Sequence, residues 1–172
     1  MKRKIFSILF IIGLTVLSFN FVYFYALKTE TEVFAKTAIK NRKKYYNDIV
    51  LEIPDINLLI KVQKSDENFN NLKNNVVYYN DFDPLKTNVM LGHSGTGKGT
   101  YFNKIDDLKK GGLINVYYKD SVINYVVKKV YLISKNDYFI LENDDKIANL
   151  KLITCLKGNN NKRLVVESMI KQ

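Results

Sequence analysis

The sequence contains only one cysteine and one histidine in 172 residues. A single cysteine excludes an intrachain disulfide, and one cysteine with one histidine cannot assemble a zinc site of the usual Cys/His kind. Two prolines and eight glycines exclude collagen-like and low-complexity chains. Hydrophobic residues make up 47% of the chain, which excludes a disordered polyelectrolyte. Chemistry that needs a thiol or an imidazole therefore depends on Cys155 and His93 alone.

The N-terminus carries an apolar segment that is long enough to cross a membrane. Three basic residues at positions 2–4 precede an uncharged run over residues 5–27, which as a helix spans about 34 Å. Secretory signals have shorter apolar regions that end at small residues, whereas this run ends in Tyr23-Phe24-Tyr25-Ala26. We predict an uncleaved signal anchor, with a cleaved signal as the alternative. The positive-inside rule places residues 1–4 in the cytoplasm, residues 5–27 across the membrane and everything after Leu27 outside the cell.

The chain is basic, with 27 Lys and Arg against 17 Asp and Glu and a net charge of +10. A basic exterior can face anionic lipid or cell-wall polymers, although a lysine-rich solvated surface explains much of the charge. An extracellular chain meets little nucleic acid, so we predict no nucleic-acid partner.

The extracellular part divides near residue 48. Residues 28–48 are polar and lack Gly and Pro, which predicts a helical stalk or linker. Residues 49–172 form the predicted catalytic domain, in which short β-rich runs alternate with Asn, Asp, Gly and Lys turns, a pattern typical of a sandwich or closed barrel. A short helix is predicted only at residues 104–110. The predicted strands cover residues 49–53, 58–62, 76–79, 88–91, 113–118, 122–133, 138–141, 150–154 and 164–168.

One glycine-rich motif resembles a phosphate-binding loop. Residues 92–98 read G-x-x-x-x-G-K, but such a loop needs Ser or Thr next and a helix that begins at the lysine. Position 99 is Gly, and no alternating strand–helix pattern surrounds the motif. We therefore predict a flexible loop and no nucleotide partner.

A second set of residues has the composition of an acyl-transfer site. His93 follows one predicted strand, Cys155 closes another, and Arg163 lies at the mouth of the next. The chain has only three arginines, and Arg163 is the one in the β-domain. Thiol, imidazole and guanidinium can act as nucleophile, proton donor and oxyanion stabiliser. Taken singly, each residue could also be structural.

The sequence resembles the sortase family. Leu152-Ile153-Thr154-Cys155 followed by Arg163-Leu164-Val165-Val166 is similar to the family's cysteine and arginine motifs, and Leu91-Gly92-His93-Ser94 is similar to its histidine motif. Residues 52–62 resemble its first hairpin, and residues 102–112 its short helix. The sequence departs from the family's pattern in two places. It has Lys151 where the family usually has Thr, and the spacing between Cys155 and Arg163 is short.

The resemblance implies an all-β, closed eight-stranded barrel with a short helix behind the membrane helix. It also implies a cysteine transpeptidase that cleaves an LPxTG-like sorting signal on surface proteins, forms a thioester, and passes the acyl group to an amine of a peptidoglycan precursor or a pilin. By position, Cys155 is the nucleophile, His93 the general acid and Arg163 the oxyanion and substrate clamp. Thr154 and Ser94 are secondary, substrate-binding candidates.

Two alternatives remain open at this stage: a wall-facing cysteine hydrolase, and a non-catalytic membrane-anchored β-domain that binds wall polymer. We predict no required cofactor and no metal. Calcium activation is an open alternative, because some relatives use calcium and Glu142, Asp144 and Asp145 cluster in one turn; a solvated turn is the preferred interpretation. Sorting motif, acceptor amine, sortase subclass and oligomeric state are not predicted.

Overall fold

A computed structural model of the chain describes residues 2–141 and 149–171. One long α-helix is followed by eight β-strands and four short 3-10 helices. The helix is α1 (Lys2–Lys40). The strands are β1 (Ile49–Ile53), β2 (Leu58–Lys64), β3 (Val76–Tyr79), β4 (Asn88–Leu91), β5 (Leu113–Tyr118), β6 (Ser121–Ser134), β7 (Asn149–Leu156) and β8 (Asn159–Ile170).

The strands close into one barrel in the order β1-β2-β3-β4-β7-β8-β6-β5, and pairing of β5 with β1 completes the ring. Most neighbours are antiparallel, while the pairs β2–β3 and β4–β7 are parallel. Closure leaves no sheet edge open for pairing with another chain. The prediction of a closed eight-stranded barrel is therefore confirmed.

Every second residue of a strand points its side chain into the barrel interior, because successive side chains of a strand point to opposite faces. Its largest fully buried side chains are aromatic and aliphatic, among them Tyr125, Phe102, Met90 and Leu152. Tyr125 is buried together with its hydroxyl group, which has no hydrogen-bond partner among the described residues. Burial raises the pKa of Tyr125 to about 12, and the negative charge of Asp83 adds to the shift.

The predicted strand over residues 138–141 is wrong, because the structure forms a 3-10 helix at Tyr138–Leu141. Four apolar and aromatic residues in a row do not distinguish a short strand from a buried turn. The predicted helix over residues 104–110 is reduced to a 3-10 helix at Ile105–Asp107. These two segments lie against opposite faces of the same strands and bound the candidate site.

Helix α1 has two different surroundings along its length. Its apolar N-terminal part is exposed, and the helix is long and apolar enough to cross a membrane. Its C-terminal part packs on the outer face of the barrel, where Ala35 and Ala38 are fully buried against Val50. The ring of Phe34 also contacts Tyr45 edge to face, at 5.2 Å between ring centres. This packing ties the helix to the barrel on the side of β1 and β2.

Candidate active site

Parallel pairing of β4 and β7 brings His93 and Cys155 together. Leu91 pairs with Ile153, and the amide of Gly92 donates to the carbonyl of Ile153 at 3.2 Å. His93 and Cys155 each lie two residues beyond that pair, so they lie at the same end of the barrel on adjacent segments. Both side chains are partly exposed.

Hydrogen bonds fix the segment around His93 on both sides. The hydroxyl of Ser94 donates to the carbonyl of Cys155 at 2.5 Å, which ties the histidine segment directly to the cysteine. On the other side, the amide of Phe102 donates to the carbonyl of His93 at 3.0 Å. Gly92 makes this approach feasible, since a Cβ atom there would lie 2.7 Å from the ring of Phe102. Ser94 thus holds a position that fits its predicted secondary role.

Arg163 lies directly across the ladder from Cys155 in the antiparallel pair of β7 and β8. Side chains of such opposed residues have Cβ atoms about 5 Å apart. The register shifts immediately afterwards, where Leu156 pairs with Asn159, and such an irregularity re-aims the neighbouring side chains. The Arg163 Nη1 group donates to the carbonyls of Asn160 and Lys162 at 3.0 and 3.1 Å. Its Nη2 and Nε groups have no partner among the described residues, and no described carboxylate pairs with them.

The outer face of β4, β7, β8 and β6 carries three rows of side chains that the registers align. We call the first, at the strand ends, the catalytic row because it carries predicted catalytic residues; the second is the apolar row, and the third is the charged row. Neighbouring rows are two residues apart along each strand, or about 7 Å. The catalytic row is Cys155, Arg163 and Ile133, with His93 beyond the end of β4 on its other side; the apolar row is Leu91, Ile153, Val165 and Tyr131; the charged row includes Lys151, Glu167 and Lys129.

The charged row and the 3-10 helix Tyr138–Leu141 confine the apolar row. Glu167 accepts a hydrogen bond from the Tyr131 hydroxyl at 3.0 Å and lies 3.2 Å from the Lys129 ammonium. Burial and the hydrogen bond to Glu167 raise the pKa of Tyr131, so that phenol stays neutral. Lys151 donates to the carbonyl of Ile140 at 3.2 Å and thereby holds the 3-10 helix over the apolar row, where Ile140 packs.

Thr154 points to the opposite face of β7 from Cys155. Its side chain is buried, and its hydroxyl has no hydrogen-bond partner. Together with Cys155 and Phe102 it lines a small cavity of about 10 Å³ at the end of the barrel, which has room for about one water molecule. Thr154 is thus close to the cysteine but does not share its row.

A lysine in the turn between β7 and β8 closes that end of the barrel. Lys157 donates to the carbonyl of Asn103, and its ammonium lies 3.5 Å from Asp106. The spacing from Cys155 to Arg163 is short because a tight turn with Gly158 in a left-handed conformation, φ +75°, joins the strands.

The sequence also contains a glycine motif and a cluster of acidic residues. The glycine motif at residues 92–98 is followed by turns and not by an α-helix. Within residues 2–141 and 149–171, no group of three or more His, Cys, Asp or Glu side chains is placed to hold a metal ion. The calcium candidates Glu142, Asp144 and Asp145 lie outside the described residues.

The family model for the Sortase domain matches residues 51–170, well over half of the chain. The chain belongs to the sortase family. It is 31% identical over 118 residues to Sortase A of Bacillus anthracis, a match that covers 67% of this chain and 56% of that relative. The chain thus spans little more than half the length of this sortase.

Solved sortase structures share the fold. A Sortase D5 transpeptidase of Clostridium perfringens aligns with a TM-score of 0.68 at 18% identity, covering 86% of this chain and 99% of that one. Sortase A of Listeria monocytogenes gives 0.65 at 21% identity, covering 74% and 88%. The predicted family is therefore confirmed, and at these identities the structures support the sortase-type barrel.

Several residues that shape this sortase site were not predicted as functional. Lys157 and Asn103 close one end of it, and both are polar residues in turns, without a local pattern that marks them. For Lys151, the sequence shows only a departure from the family pattern. That departure was the available signal, because a lysine replaces a small polar residue on a strand where it can reach a neighbouring segment.

Proposed function

We propose that the chain is a membrane-anchored cysteine transpeptidase, in which Cys155 cleaves an LPxTG-like sorting signal and passes the acyl group to an amine. The observation that carries this proposal is the catalytic row. Cys155 lies opposite Arg163 and is tied through Ser94 to the segment that bears His93. This arrangement supports the assignment of Cys155, His93 and Arg163 as nucleophile, proton donor and oxyanion donor.

The proposed reaction has two steps, and the His93 imidazole transfers the proton in both. The Cys155 thiolate attacks the threonine carbonyl of the signal, and the His93 imidazolium protonates the amine that leaves as the C–N bond breaks. A thioester on Cys155 remains. An acceptor amine then attacks the thioester, its proton passes to the imidazole, and the thiolate leaves as the new amide forms.

Arg163 is the proposed oxyanion donor and substrate clamp. With Nη1 held by the carbonyls of Asn160 and Lys162, the Nη2 and Nε groups remain for the substrate. A guanidinium can place two N–H groups in one plane, which suits both the developing oxyanion and a neighbouring backbone carbonyl. Thr154 is proposed to support the position of Cys155 only from the buried side of β7. Its hydroxyl, unpaired among the described residues, lines the cavity there.

The apolar row is proposed to bind the apolar part of the sorting signal. Rows lie about 7 Å apart, which is the length of two residues in an extended peptide. When the threonine carbonyl lies at Cys155, the proline two residues earlier reaches the level of the apolar row, where Leu91 and Tyr131 are the partly exposed members. The 3-10 helix Tyr138–Leu141 then forms the wall of the groove.

A peptide assay on the full-length chain in detergent tests the proposal. LPxTG-like peptides are incubated with and without an amine acceptor, and the products are identified by mass spectrometry, with Cys155→Ala as the control. We expect an amine-linked product that the Cys155→Ala variant does not form. Release of free acid alone, even at high acceptor concentration, would support the hydrolase alternative, and no cleavage of any peptide would support a binding domain.

We also propose that residues 1–4 are cytoplasmic and that the barrel is extracellular, with surface proteins and wall precursors or pilins as partners. The support is the basic N-terminus before an apolar helix that can cross a membrane. Protease added to intact protoplasts should remove the barrel. Protection of the barrel would reverse the orientation.

A further inference from the structure

A loop beside the active site touches the membrane helix. The glycine loop, residues 95–99, follows Ser94 and carries Lys98 at its tip. The Lys98 ammonium lies 3.7 Å from the centre of the Tyr23 ring, and Gly97 and Lys98 face Asn20 and Phe21 across a shallow cleft. The barrel therefore contacts α1 within the apolar segment as well as at its C-terminal end.

The depth of this contact places Lys98 at the membrane surface. The apolar run at residues 5–27 is about 34 Å long as a helix, about 4 Å more than a bilayer hydrocarbon core. A core that begins at Ile5 therefore ends near Tyr25, and Tyr23 lies about 3 Å inside that boundary, where tyrosines concentrate. A lysine at this level keeps its ammonium in the headgroup layer while its stem lies on apolar surface.

A basic pocket lies next to the glycine loop, one helical turn further from the membrane. It has a volume of about 270 Å³ and is lined by the lysines Lys28 and Lys104, by polar side chains that include Asn57 and Thr100, and by apolar side chains that include Ile56. No acidic residue lines it. In the described part of the chain, no carboxylate forms an ion pair with Lys28 or Lys104, although Glu32, which pairs with Lys36 at 2.8 Å, also attracts Lys28.

The loop that bounds the pocket is held in shape by its own polar contacts. The Asn103 side chain accepts a hydrogen bond from the amide of Gly95 at 2.7 Å and donates to its carbonyl at 3.0 Å. The Thr100 hydroxyl donates to the carbonyl of Gly97 at 2.9 Å. Gly99 has φ +73° and packs against the carbonyl of Lys73, so only glycine fits there. Lys98 is thus presented by a braced loop.

We propose that Lys28, Lys98 and Lys104 form a binding site for the phosphate of an anionic lipid headgroup. Lys28 and Lys104 line the pocket, Lys98 lies on the adjoining loop at the level of Tyr23, and the apolar wall of the pocket can contact the glycerol part of the lipid. This site lies outside the catalytic row. The glycine loop that bounds it follows directly after Ser94. Its bound lipid fixes the height and orientation of the active site above the membrane.

Thermal unfolding of the full-length chain in detergent tests this site without any measurement of turnover. Dioleoyl phosphatidylglycerol, dioleoyl phosphatidylcholine and inorganic phosphate are titrated separately, because a ligand that binds the folded state raises the Tm. We expect phosphatidylglycerol alone to raise the Tm in a saturable way. A lysine at an anionic lipid surface is worth about fivefold in affinity, so replacing Lys28, Lys98 and Lys104 by Gln should weaken the apparent affinity roughly 100-fold.

The matched control replaces three exposed lysines that do not line the pocket, Lys119, Lys128 and Lys171, by Gln. It should keep the wild-type affinity. If the pocket variant fails to fold, Lys98→Gln alone should still weaken phosphatidylglycerol binding about fivefold. Equal shifts with phosphatidylcholine, an equal shift with inorganic phosphate, or an equal loss in the control variant would each overturn the proposal.

Discussion

Replacing Arg163 by lysine should remove most of the activity and leave the fold intact. Arg163 pairs with Cys155 across the ladder. The carbonyls of Asn160 and Lys162 hold its Nη1 group in place. Lysine keeps the charge, but its single ammonium cannot occupy those two carbonyls and the oxyanion position together. Loss of one oxyanion donor typically lowers turnover about 10²–10³-fold, or roughly 3–4 kcal/mol.

The assay is kcat/KM on the best LPxTG-like peptide, with melting curves for both proteins. Arg42 provides the matched control, since it also donates to two backbone carbonyls, those of Lys119 at 2.8 Å and Asp48 at 3.1 Å, but lies away from the site. Arg42→Lys should lower stability by about 1–3 kcal/mol without a comparable loss of rate. A loss of less than about threefold for Arg163→Lys, with stability unchanged, would refute the role of the guanidinium.

Three further changes test the site and the core. Ser94→Ala removes the bond to the Cys155 carbonyl and should lower kcat more than it raises KM; a change in Tm alone would make Ser94 merely structural. Lys151→Met keeps the aliphatic stem but frees the 3-10 helix at Ile140, so KM should rise severalfold, and an unchanged KM would show that this wall does not contact the peptide. Tyr125→Phe removes a buried hydroxyl without a partner and should raise stability by about 1 kcal/mol, or the Tm by about 3 °C; a lower Tm would show that the hydroxyl is satisfied.

The Tyr125→Phe variant also makes a prediction about pH. The phenol titrates near 10 when unfolded, and burial raises its pKa to about 12 in the folded protein. The folded state therefore holds a proton that the unfolded state has lost between these values, so stability falls as the pH rises from about 10 to 12. Melting curves across this range should fall less steeply for the variant. Parallel curves would show that Tyr125 does not titrate with a raised pKa.

The strands that form the barrel were largely predictable, because most of them alternate apolar and polar residues between clear turn signals. The segment 138–141 was not, since its four residues lack both alternation and a partner strand. The register of β4 against β7 also lies beyond sequence patterns, because a parallel pair joins segments more than 50 residues apart.

The sequence allowed one group to be proposed from Cys155, His93 and Arg163. Cysteine, histidine and arginine are rare in this chain, and each of the three residues lies at an end of a predicted strand. The rows beside them depend on strand registers that the tertiary fold determines, which is why the apolar row and the contact from Lys151 to Ile140 were not foreseen. Thr154 was foreseen as a neighbour of the thiol, but the pleat turns its hydroxyl into the barrel.

The most direct test of the central claim is the intact mass of the full-length chain after rapid mixing with an LPxTG-like peptide and acid quenching. The proposal predicts a mass increase equal to the acyl fragment that ends in threonine, located at Cys155 by peptide mapping and removed by an amine acceptor. The increase should be larger in Arg42→Lys than in Arg163→Lys at the same time point. A turnover-competent chain with no adduct at Cys155, or with an adduct that an amine does not remove, would contradict thioester transpeptidation.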